Sequence, residues 1–223
     1  MSCLWMELFS PKAFQIDFEM AVINAIAILF PYAQIRGCFF HFSQCFWRKI
    51  QELGLATNYK TDGSALRSYA KVIQSLALCP LDQIDEAWEI IASFEPEGER
   101  VQEFTAYFMR TWLLSNAKFR REFWNHFDND GMRTTNNLEG YHHALNKLVG
   151  AAHPNILKFI EIIKNEQQIF RKVLANIAGR AKPPNSREKY RLLHEAVERT
   201  KTLMRRGDIS LSDYIEQIKR KNS

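Results

Sequence analysis

Between Lys12 and Leu53 the apolar pattern switches repeatedly between strand-like and helix-like spacing, and this alternation restricts the possible folds more than any other feature. The run KAFQI before Asp17 is short and extended in character. FEMAVINAIAILF is apolar nearly all round, as a buried helix would be, and Pro31 ends it. AQIRGCFFHF reads as a buried strand with Gly37 inside. From about Phe42 a helical spacing takes over through Phe42, Cys45, Phe46, Ile50 and Leu53, stopped by Gly54. The order expected is strand, helix, strand, helix.

After residue 54 every periodic segment is helical. Asp62 opens a helix through Leu66, Tyr69, Ile73 and Leu76, Pro80 opens another through Ile84, Trp88 and Ile91, and Val101, Phe104, Phe108 and Trp112 mark a third. The spacing of Trp112 with Phe108 places it in a core rather than on a ligand. The segment RTTNNLEGYHHALNKLV carries two stripes on one helix. Glu139, His142, His143 and Asn146 recur at i, i+3, i+4 and i+7, beside an apolar stripe of Leu138, Tyr141, Leu145 and Leu148. A long amphipathic helix follows, through Ile156, Phe159, Ile160, Ile163, Phe170, Val173, Leu174 and Ile177, and closes at KPP. The remainder reads as helical and basic, with little core.

A chain of 223 residues with 46% hydrophobic content can bury a real core. Its longest nearly uncharged run, AVINAIAILF, is about half of what a membrane span needs, so a soluble intracellular protein without membrane contact is expected. Cys3, Cys38, Cys45 and Cys79 have no framework spacing, and reduced thiols are the default. From Arg180 onward there are 12 Lys and Arg against 6 acids, whereas the rest of the chain is close to neutral. Residues 80–103 hold eight acids against Arg100 alone, so that segment should face away from any polyanion. Tyr190 and Tyr214 are too few to make the basic tail a stacking platform for single strands.

Several side chains admit both a structural and a chemical role. Asp17, where a short strand meets a helix, can be an N-cap or can project at a sheet edge. With Asn136 as N-cap, Glu139 completes a capping box, yet a first-turn acid can still hold a metal through its other oxygen. Cys38 and His41 have the spacing of half a zinc site, or form a buried hydrogen-bonded pair. Glu139 and His142 make one ExxH pair, where a di-iron bundle needs two.

Taken together, residues 10–165 resemble the later part of Mutator-like element (MULE) transposases. The resemblance rests on order: an acid followed by Phe-Glu, a helix, a strand ending in CxxH, a helical stretch, then Asn-Asn-x-x-Glu opening a helix. It implies a mainly α chain with a small α/β part, a partial RNase H-like fold carrying a helical insertion. The implied parts are a partial RNase H-like core at 1–53, the insertion at 54–130, a returning catalytic-type helix and long core helix at 131–182, and a basic helical tail at 183–223. In such DDE enzymes three carboxylates hold two magnesium (or manganese) ions for phosphodiester attack. Asp17 matches the second acid and Glu139 the third, with Asn136, Asn137, His142 and His143 on the rim and Arg133 and Lys147 toward DNA.

The implied partners are transposon-end DNA and a second copy of the chain, and the implied location is the nucleus, with MRR and KRK as short basic clusters. MSCLWMELFSPKAFQI holds no aspartate to act as the first acid, so the expectation is a fragment inactive by itself. Two other readings stand beside it. One is a host-adopted DNA-binding or chromatin-associated module, and the other a helical protein-interaction domain.

Overall fold

The computed structural model describes residues 10–129, 133–151, 153–178 and 188–221. Among them the fold is mainly helical with one small parallel sheet. Strand β1 (Ala13–Ile16), helix α1 (Met20–Leu29) and strand β2 (Gln34–Gly37) form a strand–helix–strand unit, with Ala13 opposite Gln34 and Ile16 opposite Gly37. Parallel pairing requires such a crossover, and the apolar run after Asp17 supplies it. No described helix is long and apolar enough to cross a membrane.

Two expectations for this region need correction. Helix α1 is not buried all round, because a two-stranded sheet covers only one side of it. Ile23 and Ile26 are buried, while Ile28 is 78% exposed and Leu29 50%. Strand β2 also stops at Gly37, and helix α2 (Phe39–Glu52) begins before Phe42. Cys38 is therefore the residue between strand and helix, and His41 lies in the first turn of α2 rather than on the strand.

Helix α2 buries Phe42, Phe46 and Ile50 along one face. Against it pack α3 (Ala56–Lys60), α4 (Ala65–Ser75), α5 (Ile84–Ala92), α6 (Glu99–Phe108) and the short α7 (Arg121–Trp124). Helix α6 ends in a π turn, Met109–Leu113, which the periodicity does not announce. The widened turn brings Trp112 edge-on to Phe42 at 5.0 Å, and the Trp112 carbonyl accepts from Trp124 Nε1 at 3.0 Å. Trp124 stacks flat on Phe42 at 5.3 Å. Both indoles are core, as the spacing of Trp112 implied.

The chain separates into two compact units. The first joins the described residues up to Thr135 to those from Leu193 onward, and the second is Asn136–Leu192. In the second unit, α8 (Asn136–Val149) leads through Gly150, at φ +68°, to α9 (Ile156–Ala178), which Asn155 caps. Tyr141 meets Phe170 edge-on at 5.5 Å. The expected long core helix is corrected: Ile156, Leu157 and Leu174 of α9 are each more than 60% exposed, since within its unit α9 has one helical neighbour among the described residues.

The expectation of a basic tail with little core is overturned. From α10 (Glu188–Arg206) and α11 (Leu211–Lys221), Val197, Leu211, Tyr214, Ile215 and Ile218 are buried in the same cluster as Leu76, Phe104 and Trp124. The Tyr214 hydroxyl donates to the Leu78 carbonyl. The spacing of 211, 214, 215 and 218 is an ordinary helical stripe, masked in the sequence by the charges between them.

Candidate functional site

In a parallel strand–helix–strand unit, the carboxyl ends of the strands are where loops converge and where ligands are commonly bound. Asp17 is the residue directly after β1 and is exposed. It does not cap α1, whose N-cap position is Glu19, so its carboxylate has no structural duty there. Gln15, one turn of the pleat earlier, donates through Nε2 to the Gly37 carbonyl at 3.0 Å and to the Arg133 carbonyl at 3.2 Å. The Arg133 carbonyl also accepts from Phe39 N at 2.8 Å.

Cys38 is fully buried. Its Sγ accepts from Thr135 N at 3.2 Å and Thr135 Oγ1 at 3.3 Å. The partner of the thiol is therefore Thr135, and His41 is half-buried with its ring against Phe40. Cys38, Cys45 and Cys79 form no disulfide, and Cys3 lies outside the described residues. Among the described residues no three His, Cys, Asp or Glu side chains gather to hold a metal. Asp17 belongs to the first compact unit and Glu139 to the second.

Residues 133–135 thus cross the carboxyl ends of both strands just before α8 begins. Glu139 lies in the first turn of α8 and is exposed, as are His142, His143, Asn146 and Lys147, so the polar stripe faces away from the apolar Tyr141–Phe170 contact. Helix α8 already includes Asn136, one position earlier than the capping box requires. The side chains of Asn136 and Asn137 lie outside the described residues. Arg133 is half-buried, with Nη2 at 3.3 Å from His194 Nδ1, and burial lowers its pKa.

The approach to this crossing is held by a polar cluster that sequence reasoning missed. His126 is buried completely, and its Nδ1 accepts from Asn129 Nδ2 at 3.1 Å. Its pKa is pushed down to about 4, first by burial and then by the charge of Arg133; a hydrogen bond with the Gly37 backbone opposes this, and Lys201 and Arg36 add weaker pushes in the same direction as Arg133. Arg36 Nη1 donates to Asn129 Oδ1 at 2.7 Å. Lys201, 0% exposed, donates to the His126 carbonyl at 2.8 Å and pairs with Glu198 at 3.0 Å. Arg205 donates to the Phe127 carbonyl at 2.8 Å. A buried ammonium is tolerable only when carbonyls and an acid replace its water, and Lys201 has both.

The tail's cations are thereby partly accounted for. Lys201 and Arg205 hold the loop 126–129, and Lys221 donates to the Ala196 carbonyl and to Thr200. The hint in the sequence is spacing: Lys201 and Arg205 lie four and eight residues after the buried Val197, and Lys221 three after the buried Ile218, so each falls on the buried face of its helix. The chain matches no known protein-family model, no curated protein and no solved structure.

Proposed function

We propose that the chain is the later part of a MULE-type DDE transposase domain with a partial RNase H-like fold, and that by itself it does not cut DNA. The reading is carried by one observation: residues 133–135, which precede the helix bearing Glu139 in the sequence, are hydrogen-bonded to Gln15, Cys38 and Phe39 at the carboxyl ends of the two parallel strands, the first of which Asp17 follows. In the family resembled, two-metal phosphoryl transfer takes one carboxylate just after such a strand and another near the start of the returning helix, the roles that the resemblance gives to Asp17 and Glu139. Gln15 and Cys38 then act as positioning residues, since each fixes the 133–135 backbone rather than touching DNA.

Two carboxylates supply less charge than the three that the two-metal mechanism uses, so the chain by itself does not stabilise both attacking and leaving oxygens. The module that merely holds DNA has less behind it, because Lys201, Arg205 and Lys221 direct donors to the chain's own carbonyls.

The test combines metal titration with cleavage. Mn2+ added to isotope-labelled protein broadens the amide signals around both Asp17 and Glu139, and Asp17→Ala or Glu139→Ala abolishes that broadening at both places. Broadening confined to one acid, or only to residues 82–103, overturns the reading. Supercoiled plasmid stays intact with magnesium or manganese; nicking that disappears in Glu139→Ala refutes the claim of inactivity.

A further inference from the structure

Helix α9 carries a seven-residue repeat. Ile156, Ile160, Ile163, Gln167, Phe170 and Leu174 follow one another at steps of four, three, four, three and four, the spacing of a coiled-coil seam sustained over nearly the whole helix. At 100° per residue these steps keep them within an arc of about 80° on one side of the helix. The five apolar members are 38% to 64% exposed, although Phe170 meets Tyr141 at one edge. Singly they would need no explanation, but in one line along about 27 Å they make a continuous apolar stripe.

The polar residues in and beside the stripe choose its occupant. In heptad terms Ile160, Gln167 and Leu174 take the a positions and Ile156, Ile163 and Phe170 the d positions, so Gln167 is the one polar member of the seam. Glu166 flanks it at a g position, and Lys164 and Arg171 flank the other side at e positions. Glu166, Lys164 and Arg171 have no ion-pair partner within the chain among the described residues. A second α9, parallel and in register, sets the two Gln167 amides against each other. It also brings each Glu166 to the other copy's Arg171, twice per pair. The antiparallel arrangement does neither, since it sets Lys164 against the other copy's Arg171 and leaves each Gln167 facing an apolar side chain. A foreign helix of one charge sign would suit only one of the two flanks, which differ in sign. The stripe is complementary to itself.

We propose that this face of α9 is a self-association surface, through which two copies of the chain pair as a parallel, in-register two-stranded coiled coil. The apolar a and d side chains close the seam, Gln167 fixes the register, and the Glu166–Arg171 pairs between copies fix the orientation. The pairing uses neither Asp17 nor Glu139, so it stands or falls separately from the transposase reading.

The experiment is sedimentation equilibrium of the whole chain from about 1 to about 200 μM, which should show a monomer–dimer equilibrium with a Kd on the order of 10 μM. Leu174→Glu, at an exposed position, should leave the circular dichroism unchanged and remove the dimer throughout this range. Arg171→Glu turns two attractions per dimer into two repulsions and should weaken it about tenfold, and adding Glu166→Arg to that variant should restore the wild-type affinity. A chain that stays monomeric at about 200 μM shows that something other than a second copy covers the stripe, and overturns the proposal. A dimer indifferent to Leu174→Glu, or an Arg171→Glu defect that Glu166→Arg does not repair, overturns it equally.

Discussion

Acidification should destabilise the first unit through one histidine. His126 is 0% exposed, and Arg133, Lys201 and Arg36 all oppose its protonation, so its pKa falls from 6.5 to about 4. In the unfolded chain the same ring binds a proton near 6.5. Between those values the unfolded state holds a proton that the folded state does not, so stability rises with pH across the window and is lost as pH falls from 6.5 through 4. At 1.36 kcal/mol per pH unit the interval corresponds to about 3 kcal/mol, a large share of what a domain of this size has to lose.

The measurement is urea unfolding of the wild type and His126→Gln from pH 7.5 to 4. His126→Gln begins less stable, since it loses the imidazole packing against Phe39, but it should fall by about 3 kcal/mol less over that range. Taking the difference removes the contribution of carboxylates common to both proteins. The reasoning is refuted if the two proteins lose stability in parallel, or if the His126 ring signal titrates at or above 6.5.

Two further perturbations address the same region. Lys201→Met keeps the aliphatic stem but strands Glu198 and the His126 carbonyl, at a cost of about 2–4 kcal/mol; Glu198→Gln in the same chain should return part of it, and a loss under about 0.5 kcal/mol would show that Lys201 is not a clamp. Gly37→Ala places a methyl group against the Phe18 ring and 2.9 Å from the Phe123 carbonyl, so about 2–3 kcal/mol of overpacking is expected, read as a lower thermal midpoint. A variant as stable as the wild type would mean that Phe18 can leave its edge contacts with Trp112 and Phe119 freely.

The alternation at 13–53 was legible because it is local. KAFQI and AQIRG declare extended backbone by composition, and Pro31 marks the turn that lets the second strand return parallel to the first. The helices of 65–108 declared themselves by spacing, and Trp112 by its distance from Phe108. The π turn at 109–113 was not legible, since one extra residue in a turn leaves no compositional mark. The polar cluster was hidden for a different reason. His126, Arg36 and Lys201 are separated by 90 and 75 residues, and only the folded chain shows that three cations surround one neutral ring. In the candidate site, Asp17 and Glu139 came from the order of motifs, whereas the Thr135 bonds to Cys38, which fasten the segment just before the helix bearing Glu139, were not foreseen.

The bond from Tyr214 to the Leu78 carbonyl joins residues 136 positions apart, and the helix that makes it is the last one described. On the ribosome, Leu76, Leu78 and Phe104 therefore wait on the order of ten seconds after synthesis before the side chains that cover them exist. During that interval the nascent chain presents an uncovered apolar surface to whatever surrounds it. A ribosome that stalls or terminates before Leu211 releases a product with most of its helices made and its core still open, which quality-control proteases recognise by the same exposed side chains.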